Sequence, residues 1–251
     1  MSRDLSLPEL IAHRGASADA PENTLAAFRL AWEQGADGIE GDFRLSSDGH
    51  IVCVHDADLQ RTGGVSLSVA ESTLDALRQV DVGSWFDPAF ASERVPTLAE
   101  VLELVPDGKR LFIEVKCGDE IVGPLTHVLA SASRGVRVAV ISFSAEVIAR
   151  CRRELPEVEA FWITAFGESE SGLQPEVDEV LQTLEDLDAS GLDCQAHPAF
   201  DESLARGLRS AGMGFHVWTV DTLELARSFA SLGVESLTTN RPGALRQEWQ
   251  G

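Results

Sequence analysis

The chain is almost without lysine: its basic residues are arginine throughout, except at Lys109 and Lys116. Codon bias produces such scarcity as readily as function does, so it gives Lys116 no standing of its own. Long apolar runs are missing too. No stretch approaches the roughly eighteen apolar residues of a membrane span. The opening Met1-Ser2-Arg3-Asp4-Leu5 has no signal-peptide apolar core, so the expected location is cytoplasmic. There is no C-x-x-C pair. Cys53, Cys117, Cys151 and Cys194 are scattered and read as small buried hydrophobes, not as a disulfide frame or a zinc site. Positive charge is short as well, the net charge being −21. That field repels nucleic acid and anionic membrane surfaces, so neither is an expected partner and no stable membrane association is expected. An anionic substrate would need the field reversed locally, which a bound cation does.

What is present is ordinary for a globular protein: 251 residues, 44% hydrophobic and 24% charged. Short apolar runs alternate with amphipathic segments. Strands are expected at 7–12, 36–44, 110–115, 136–141, 158–164, 191–196, 213–218 and 234–238. Helices are expected between and after them, the first capped by Asn23 or Thr24 and ended by Gly35. Asp48-Gly49 reads as a hairpin turn that returns 50–54 beside the second strand. Residues 57–96 read as one long excursion, 97–105 as a helix capped by Thr97, and the polar stretch 167–175 as a loop. Eight strand–helix units imply a parallel sheet with crossover helices. Their number and size fit a closed (β/α)8 TIM barrel, a single domain over 1–251 with a small insertion at 57–96 after the second strand. An open doubly wound sheet is the competing architecture. No G-x-G-x-x-G follows the first strand to support it.

Glu40 and Asp42 lie two apart on one strand and therefore share a face. An isolated E-x-D is more often a pair of solvated surface acids. In a barrel, however, functional groups gather at the C-terminal strand ends. His13 and Arg14 end the first strand, and His55 follows the second on its return. Glu114 and Lys116 end the third, again two apart. His197 ends the sixth strand, Trp218 the seventh, and Asn240 lies just past the eighth. Surface charges scattered at random would not converge on one rim.

The set has a chemical sense. Glu40, Asp42 and Glu114 offer oxygen ligands for one hard divalent cation, Mg²⁺ or Ca²⁺. His13 and His55 are imidazoles that exchange protons near neutral pH. Arg14 and Lys116 are positive charges for an anionic group. Together they suit phosphodiester hydrolysis, one histidine activating the nucleophile and the other protonating the leaving alkoxide.

Several stretches carry a resemblance in order along the chain: His13-Arg14-Gly15, Pro21-Glu22-Asn23-Thr24, Glu40-x-Asp42, Asp48-Gly49, His55-Asp56, Arg61-Thr62, Pro96-Thr97-Leu98, Glu114-x-Lys116, Trp218-Thr219-Val220 and Thr239-Asn240-Arg241-Pro242. Together they resemble the glycerophosphodiester phosphodiesterase family. The resemblance implies a TIM barrel, one divalent cation, and cleavage of a small-molecule glycerophosphodiester to glycerol 3-phosphate and an alcohol. It implies that His13 and His55 form the acid/base pair and that Glu40, Asp42 and Glu114 hold the metal. It makes Arg14 and Lys116 phosphate contacts and Trp218 an apolar wall beside the glycerol. The segment after Arg61-Thr62 departs from the family's glycine-rich spacing. Between the fourth strand and Trp218 the likeness thins. A lysophospholipase D or sphingomyelinase D-like enzyme on the same barrel is the alternative, and a non-catalytic phosphate-ester binder the third reading.

His197 is expected either to touch substrate or to be a partly buried rim residue. His216 is expected inside the barrel, one layer below Trp218. Asp56 is expected to orient a histidine or to form a turn. Trp85-Phe86 is expected to fill a satellite core in preference to roofing the pocket.

Overall fold

A computed structural model describes residues 5–131, 135–169, 172–197, 200 and 202–251. The first half runs β1 (Glu9–His13), α1 (Leu25–Glu33), β2 (Gly38–Leu45), β3 (Ile51–Cys53), α2 (Gln60–Gly63), α3 (Leu74–Leu77), α4 (Leu98–Glu103) and β4 (Arg110–Val115). There follow α5 (Val122–Ser131), β5 (Arg137–Ser142), α6 (Ala145–Glu154), β6 (Glu159–Thr164), β7 (Gly167–Ser169) and β8 (Gly172–Gln174). The chain ends with α7 (Val177–Asp186), β9 (Gly191–Gln195), α8 (Glu202–Ala211), β10 (Gly214–Trp218), α9 (Leu223–Leu232), β11 (Ser236–Thr239) and α10 (Pro242–Gln250).

Eight of these strands are parallel and close on themselves. The order is β1, β2, β4, β5, β6, β9, β10, β11, and β11 pairs back onto β1. This is the (β/α)8 barrel, and closure excludes the open sheet. β3 is an antiparallel extension of β2, as the Asp48-Gly49 turn requires. The loop expected at 167–175 is instead the two-stranded hairpin of β7 and β8. Its polar, glycine-bearing sequence lacks the alternating apolar pattern by which a strand announces itself.

Helix boundaries follow capping chemistry. Thr24 caps α1 through its side chain, and Thr97 forms a reciprocal capping box with Glu100 at α4. Two apolar layers result. Ile39 and Phe43 of β2 face outward into the main core beneath the helices. Ile11, Phe112, Ile141 and Phe161 point inward and fill the barrel. Alternation therefore places Glu40, Asp42, Glu114, Asp193 and His216 inside the barrel as well.

The excursion has its own small core of Val52, Val54, Leu59, Val69, Leu77, Val82 and Val95. Trp85 and Phe86 do not join it. They are 44% and 36% exposed and stack edge-on against each other. Trp85 donates its indole N–H to the Val82 carbonyl, so its polar edge is held while its apolar face meets solvent.

Candidate active site

The register of the barrel sets the site. Cα positions pair His13 with Glu40 across β1 and β2, and Asp42 with Glu114 across β2 and β4. One ligand oxygen from each of Glu40, Asp42 and Glu114 lies within 4.8 Å of the other two. All three side chains are buried, at 2%, 0% and 7% exposure.

The first two carboxylates divide their oxygens. Glu40 Oε2 accepts the Arg14 backbone N–H at 2.8 Å. Asp42 Oδ2 accepts from Asn23 Nδ2 at 2.8 Å and lies 3.1 Å from Arg14 Nε. Their other oxygens, Glu40 Oε1 and Asp42 Oδ1, are buried without a hydrogen bond among the described residues, as is Glu114 Oε1. Lys116 Nζ lies 3.2 Å from Asp42 Oδ1 and also pairs with Glu114 Oε1. Three buried carboxylates with closely set oxygens, two of them met by a single ammonium, fit one hard divalent cation.

The electrostatics agree. Burial raises Glu40 well above the usual carboxylate range, and repulsion from Asp42 and Glu114 adds to it. Burial and Asp42 likewise push Glu114 up to about 7. Burial pushes Asp42 upward too, but Arg14 and Lys116 outweigh it and hold that carboxyl low. A cluster that resists holding three negative charges is one that a cation stabilises.

The turn after β1 is shaped for this. Arg14 and Gly15 both have positive φ, 57° and 82°. A Cβ on Gly15 would lie 2.6 Å from the Ala27 backbone carbon, so only glycine lets the turn sit on α1. The turn aims the Arg14 amide at Glu40 and its guanidinium at Asp42 and Glu22.

Both candidate histidines are held through Nδ1. His13 Nδ1 is 2.8 Å from Asn240 Oδ1. The Asn240 amide N–H donates to Asp221 Oδ2 at 2.6 Å, so its carbonyl faces His13 and accepts. A neutral His13 then carries its lone pair on Nε2. Burial and the nearby Arg14 keep its pKa below the usual value. His55 Nδ1 donates to Asp56 Oδ1 at 2.6 Å. Asp56, for which a turn role was equally open, is thus a histidine partner.

On the far side, Phe143 follows β5 with the inward parity of Ala139 and Ile141. It is 50% exposed and meets Trp218 edge-on at 6.0 Å between ring centres. β6 and β9 lie between their strands, so the two rings reach toward each other over the mouth. Lys116 Nζ lies 5.9 Å from the Phe143 ring centre.

His197 sits differently. Its ring meets Phe200 at 6.1 Å, and Phe200 packs in turn on Phe166 and Phe229 of the outer core. His197 does not line the cleft formed by His13, Arg14, Ser17, Glu22, Asp221 and Asn240. Pro198, which follows it, lies outside the described residues. His216 is fully buried in the barrel between Phe112 and Phe161, with Nδ1 2.7 Å from Ser236 Oγ.

Three participants escaped the sequence reading. Glu22 and Arg61 stood inside quoted motifs without a role, and Asp221 in none. Their contacts cross between loops, Arg61 reaching Glu22 over 39 positions and Asp221 meeting His13 only through Asn240, 19 positions further on.

Comparison with known proteins decides the family. The model of the glycerophosphoryl diester phosphodiesterase family matches residues 13–244. The chain belongs to that family. It is accordingly a phosphoric diester hydrolase. A glycerophosphodiester phosphodiesterase from Caldanaerobacter subterraneus subsp. tengcongensis is 33% identical over 94% of this chain and 95% of its own length. One from Bacillus subtilis is 27% identical over 96% of this chain and 86% of its own. Among solved structures, an Oleispira antarctica phosphodiesterase in complex with the product sn-glycerol-3-phosphate has a TM-score of 0.87. It is 28% identical, and the match covers 98% of both chains. No helix among the described residues is long and apolar enough to cross a membrane.

Proposed function

We propose that this phosphodiesterase hydrolyses glycerophosphodiesters to glycerol 3-phosphate and an alcohol, and that residues 1–251 form one catalytic domain. One observation carries the reading. Three buried carboxylates bring one oxygen each within 4.8 Å of the other two, on a rim that also carries two histidines each fixed through Nδ1. The sn-glycerol-3-phosphate product in complex with the Oleispira antarctica phosphodiesterase supports this choice of substrate class.

In this reading Glu40, Asp42 and Glu114 would hold one Mg²⁺ or Ca²⁺. Such an ion supplies Lewis-acid stabilisation of charge on the phosphoryl oxygens. Arg14 and Lys116 hold the phosphate in the mouth and share that charge. His13 and His55 act as the acid/base pair. One removes the proton of the attacking oxygen and the other delivers a proton to the leaving alkoxide. Asn240 and Asp56 keep both rings in the required tautomer. Trp218 lines the glycerol side. His197 is kept as a substrate contact of the same reading on its place after β9 alone, since its ring meets Phe200 and it does not line the cleft of His13 and Arg14.

The test is turnover of glycerophosphocholine and glycerophosphoethanolamine with the metal varied. Glycerol 3-phosphate should appear and excess chelator should stop its release. Undiminished activity in chelator would remove the ion from the mechanism. The exposed Phe143 ring gives the lysophospholipase D or sphingomyelinase D-like alternative a specific footing, since an acyl chain would cover it. A kcat/KM for lysophosphatidylcholine above that for glycerophosphocholine would favour that alternative.

A further inference from the structure

An unbroken line of alternating charges runs round one side of the mouth. His55 Nδ1 donates to Asp56 Oδ1 at 2.6 Å. Arg61 Nε donates to Asp56 Oδ2 at 2.7 Å. The two terminal nitrogens of Arg61 each donate to Glu22, both at 2.8 Å. Arg14 donates to the same Glu22 Oε1 at 3.0 Å and faces Asp42 through Nε. Every interior member therefore holds two neighbours.

Arg61 is the member that belongs to the excursion. It sits on the single turn of α2, which has no buried side chain of its own. Its neighbours fix it instead. Leu59, fully buried, anchors the start of α2 in the satellite core. Gly63 ends the turn so close to Val80 that a Cβ there would lie 2.3 Å from a Val80 methyl. The excursion thus grips α2 from both ends and presents the Arg61 fork to two carboxylates at once. Isolated surface ion pairs contribute little, because ordering a long side chain offsets the attraction. A planar fork with its donors committed to two partners is different, since its geometry transmits position.

We propose that Arg61 is a positioning residue for the phosphodiesterase reaction. By holding Asp56 it fixes the plane and tautomer of the His55 imidazole, and through Glu22 it sets that ring in register with Arg14. The excursion then serves chemistry through one side chain. The proposal rests on the function proposed above only in that His55 is taken to move a proton.

A double-mutant cycle tests it, with glycerophosphocholine as substrate. Arg61→Met should lower kcat roughly tenfold while KM changes less than about threefold, in the range found for groups that orient a functional side chain. Asp56→Asn should cost a similar factor. The double variant should lose no more than about twice the worse single loss, because both changes act through one ring. Arg61→Lys, which keeps charge without the fork, should fall between wild type and Arg61→Met. Losses that multiply, or a rise in KM with kcat unchanged, would overturn the proposal and make Arg61 a direct substrate contact.

A second readout needs no turnover. The downfield proton signal of His55 Nδ1 should be sharp in the wild type, and lost or shifted in both Arg61→Met and Asp56→Asn. A signal unmoved by Arg61→Met overturns the positioning role even in a folded, inactive protein. A wild type that releases no glycerol 3-phosphate while the signal responds as stated would sink the proposed function and leave the positioning standing.

Discussion

On one side of the barrel mouth, β1, β2 and β4 bring His13, Glu40, Asp42, Glu114 and Lys116 together, and Asn23, Arg14 and Glu22 close round them. On the other side, β5 and β10 bring Phe143 and Trp218, with the Trp218 indole N–H buried and unbonded among the described residues. The ionic side is over-determined: each buried charge has partners fixed by other partners. The aromatic side is held by an edge-on ring contact, by the Lys116 ammonium near the Phe143 ring and by packing of Trp218 on the barrel interior. Removing a charge from the first strands the rest in low dielectric. Trimming a ring from the second removes apolar area and little else. Errors on the two sides should differ in kind as well as in size.

The largest effect is expected at the carboxylates. If Glu114 holds the proposed cation, Glu114→Gln should reduce kcat/KM by roughly a thousandfold or more, since it replaces a carboxylate by a neutral amide and removes the charge that favours a cation. Isothermal titration of Mg²⁺ and Ca²⁺ into wild type and variant would check it. Equal metal affinity in both would show that the cluster is a structural ion network. Next, His13→Gln and His55→Gln should each lower kcat by roughly a hundred- to ten-thousandfold, with metal affinity nearly unchanged. If either left kcat intact, the acid/base pair would have to be sought elsewhere on the rim.

The ionic side was the more legible half of the molecule before its structure was known, for a physical reason. Glu40 with Asp42 and Glu114 with Lys116 are pairs two apart on strands, and strand periodicity alone puts each pair on one face. Strand 110–115 has the bounds that its apolar run indicates. The partners Glu22, Asp221 and Arg61 were not legible, because their contacts depend on loops meeting across the rim. Phe143 and Asp193 carried a weaker signal that only inward parity on a barrel strand reveals, once the barrel is closed. Trp85 and Phe86 misled because aromatic residues usually bury, whereas here the indole N–H is satisfied at the edge of the excursion.

Below the mouth, Asp193 and His216 sit at paired Cα positions on β9 and β10, ionisable groups whose burial disfavours charge. Burial, with Arg110 adding to it, lowers His216 to about 3. The unfolded chain takes up a proton at this histidine below about 6.5, and the folded chain refuses it until about 3. Its contribution to stability is therefore complete above pH 6.5 and is lost as pH falls through that window, at up to about 1.4 kcal/mol per pH unit. Asp193 has the opposite sign. Burial holds its pKa well above the usual value, so its contribution is greatest at low pH and falls as pH rises above about 4. The two slopes oppose each other in mildly acidic solution. Denaturant unfolding between pH 4 and 6 should show His216→Gln losing the acid-side decline, and Asp193→Asn exposing it in full. If neither variant altered the slope, both groups would already be solvated in the native state.

The smallest effect is expected on the aromatic side, and it separates the two halves most sharply. Phe143→Ala leaves the carboxylates, both histidines and Arg14 untouched. An edge-on ring contact is worth about 1 kcal/mol beyond its area, and half of this ring already faces solvent. KM for glycerophosphocholine should rise about threefold while kcat stays within about twofold, the signature of lost uniform binding. Phe143→Leu should recover most of the loss, because an apolar surface is what the position supplies. Inorganic phosphate should inhibit wild type and variant equally, since Arg14 and Lys116, the proposed phosphate contacts, are unchanged. A collapse of kcat in Phe143→Ala would instead mean that the ring places Lys116 through their 5.9 Å approach, and the division of the mouth into two independent sides would fail.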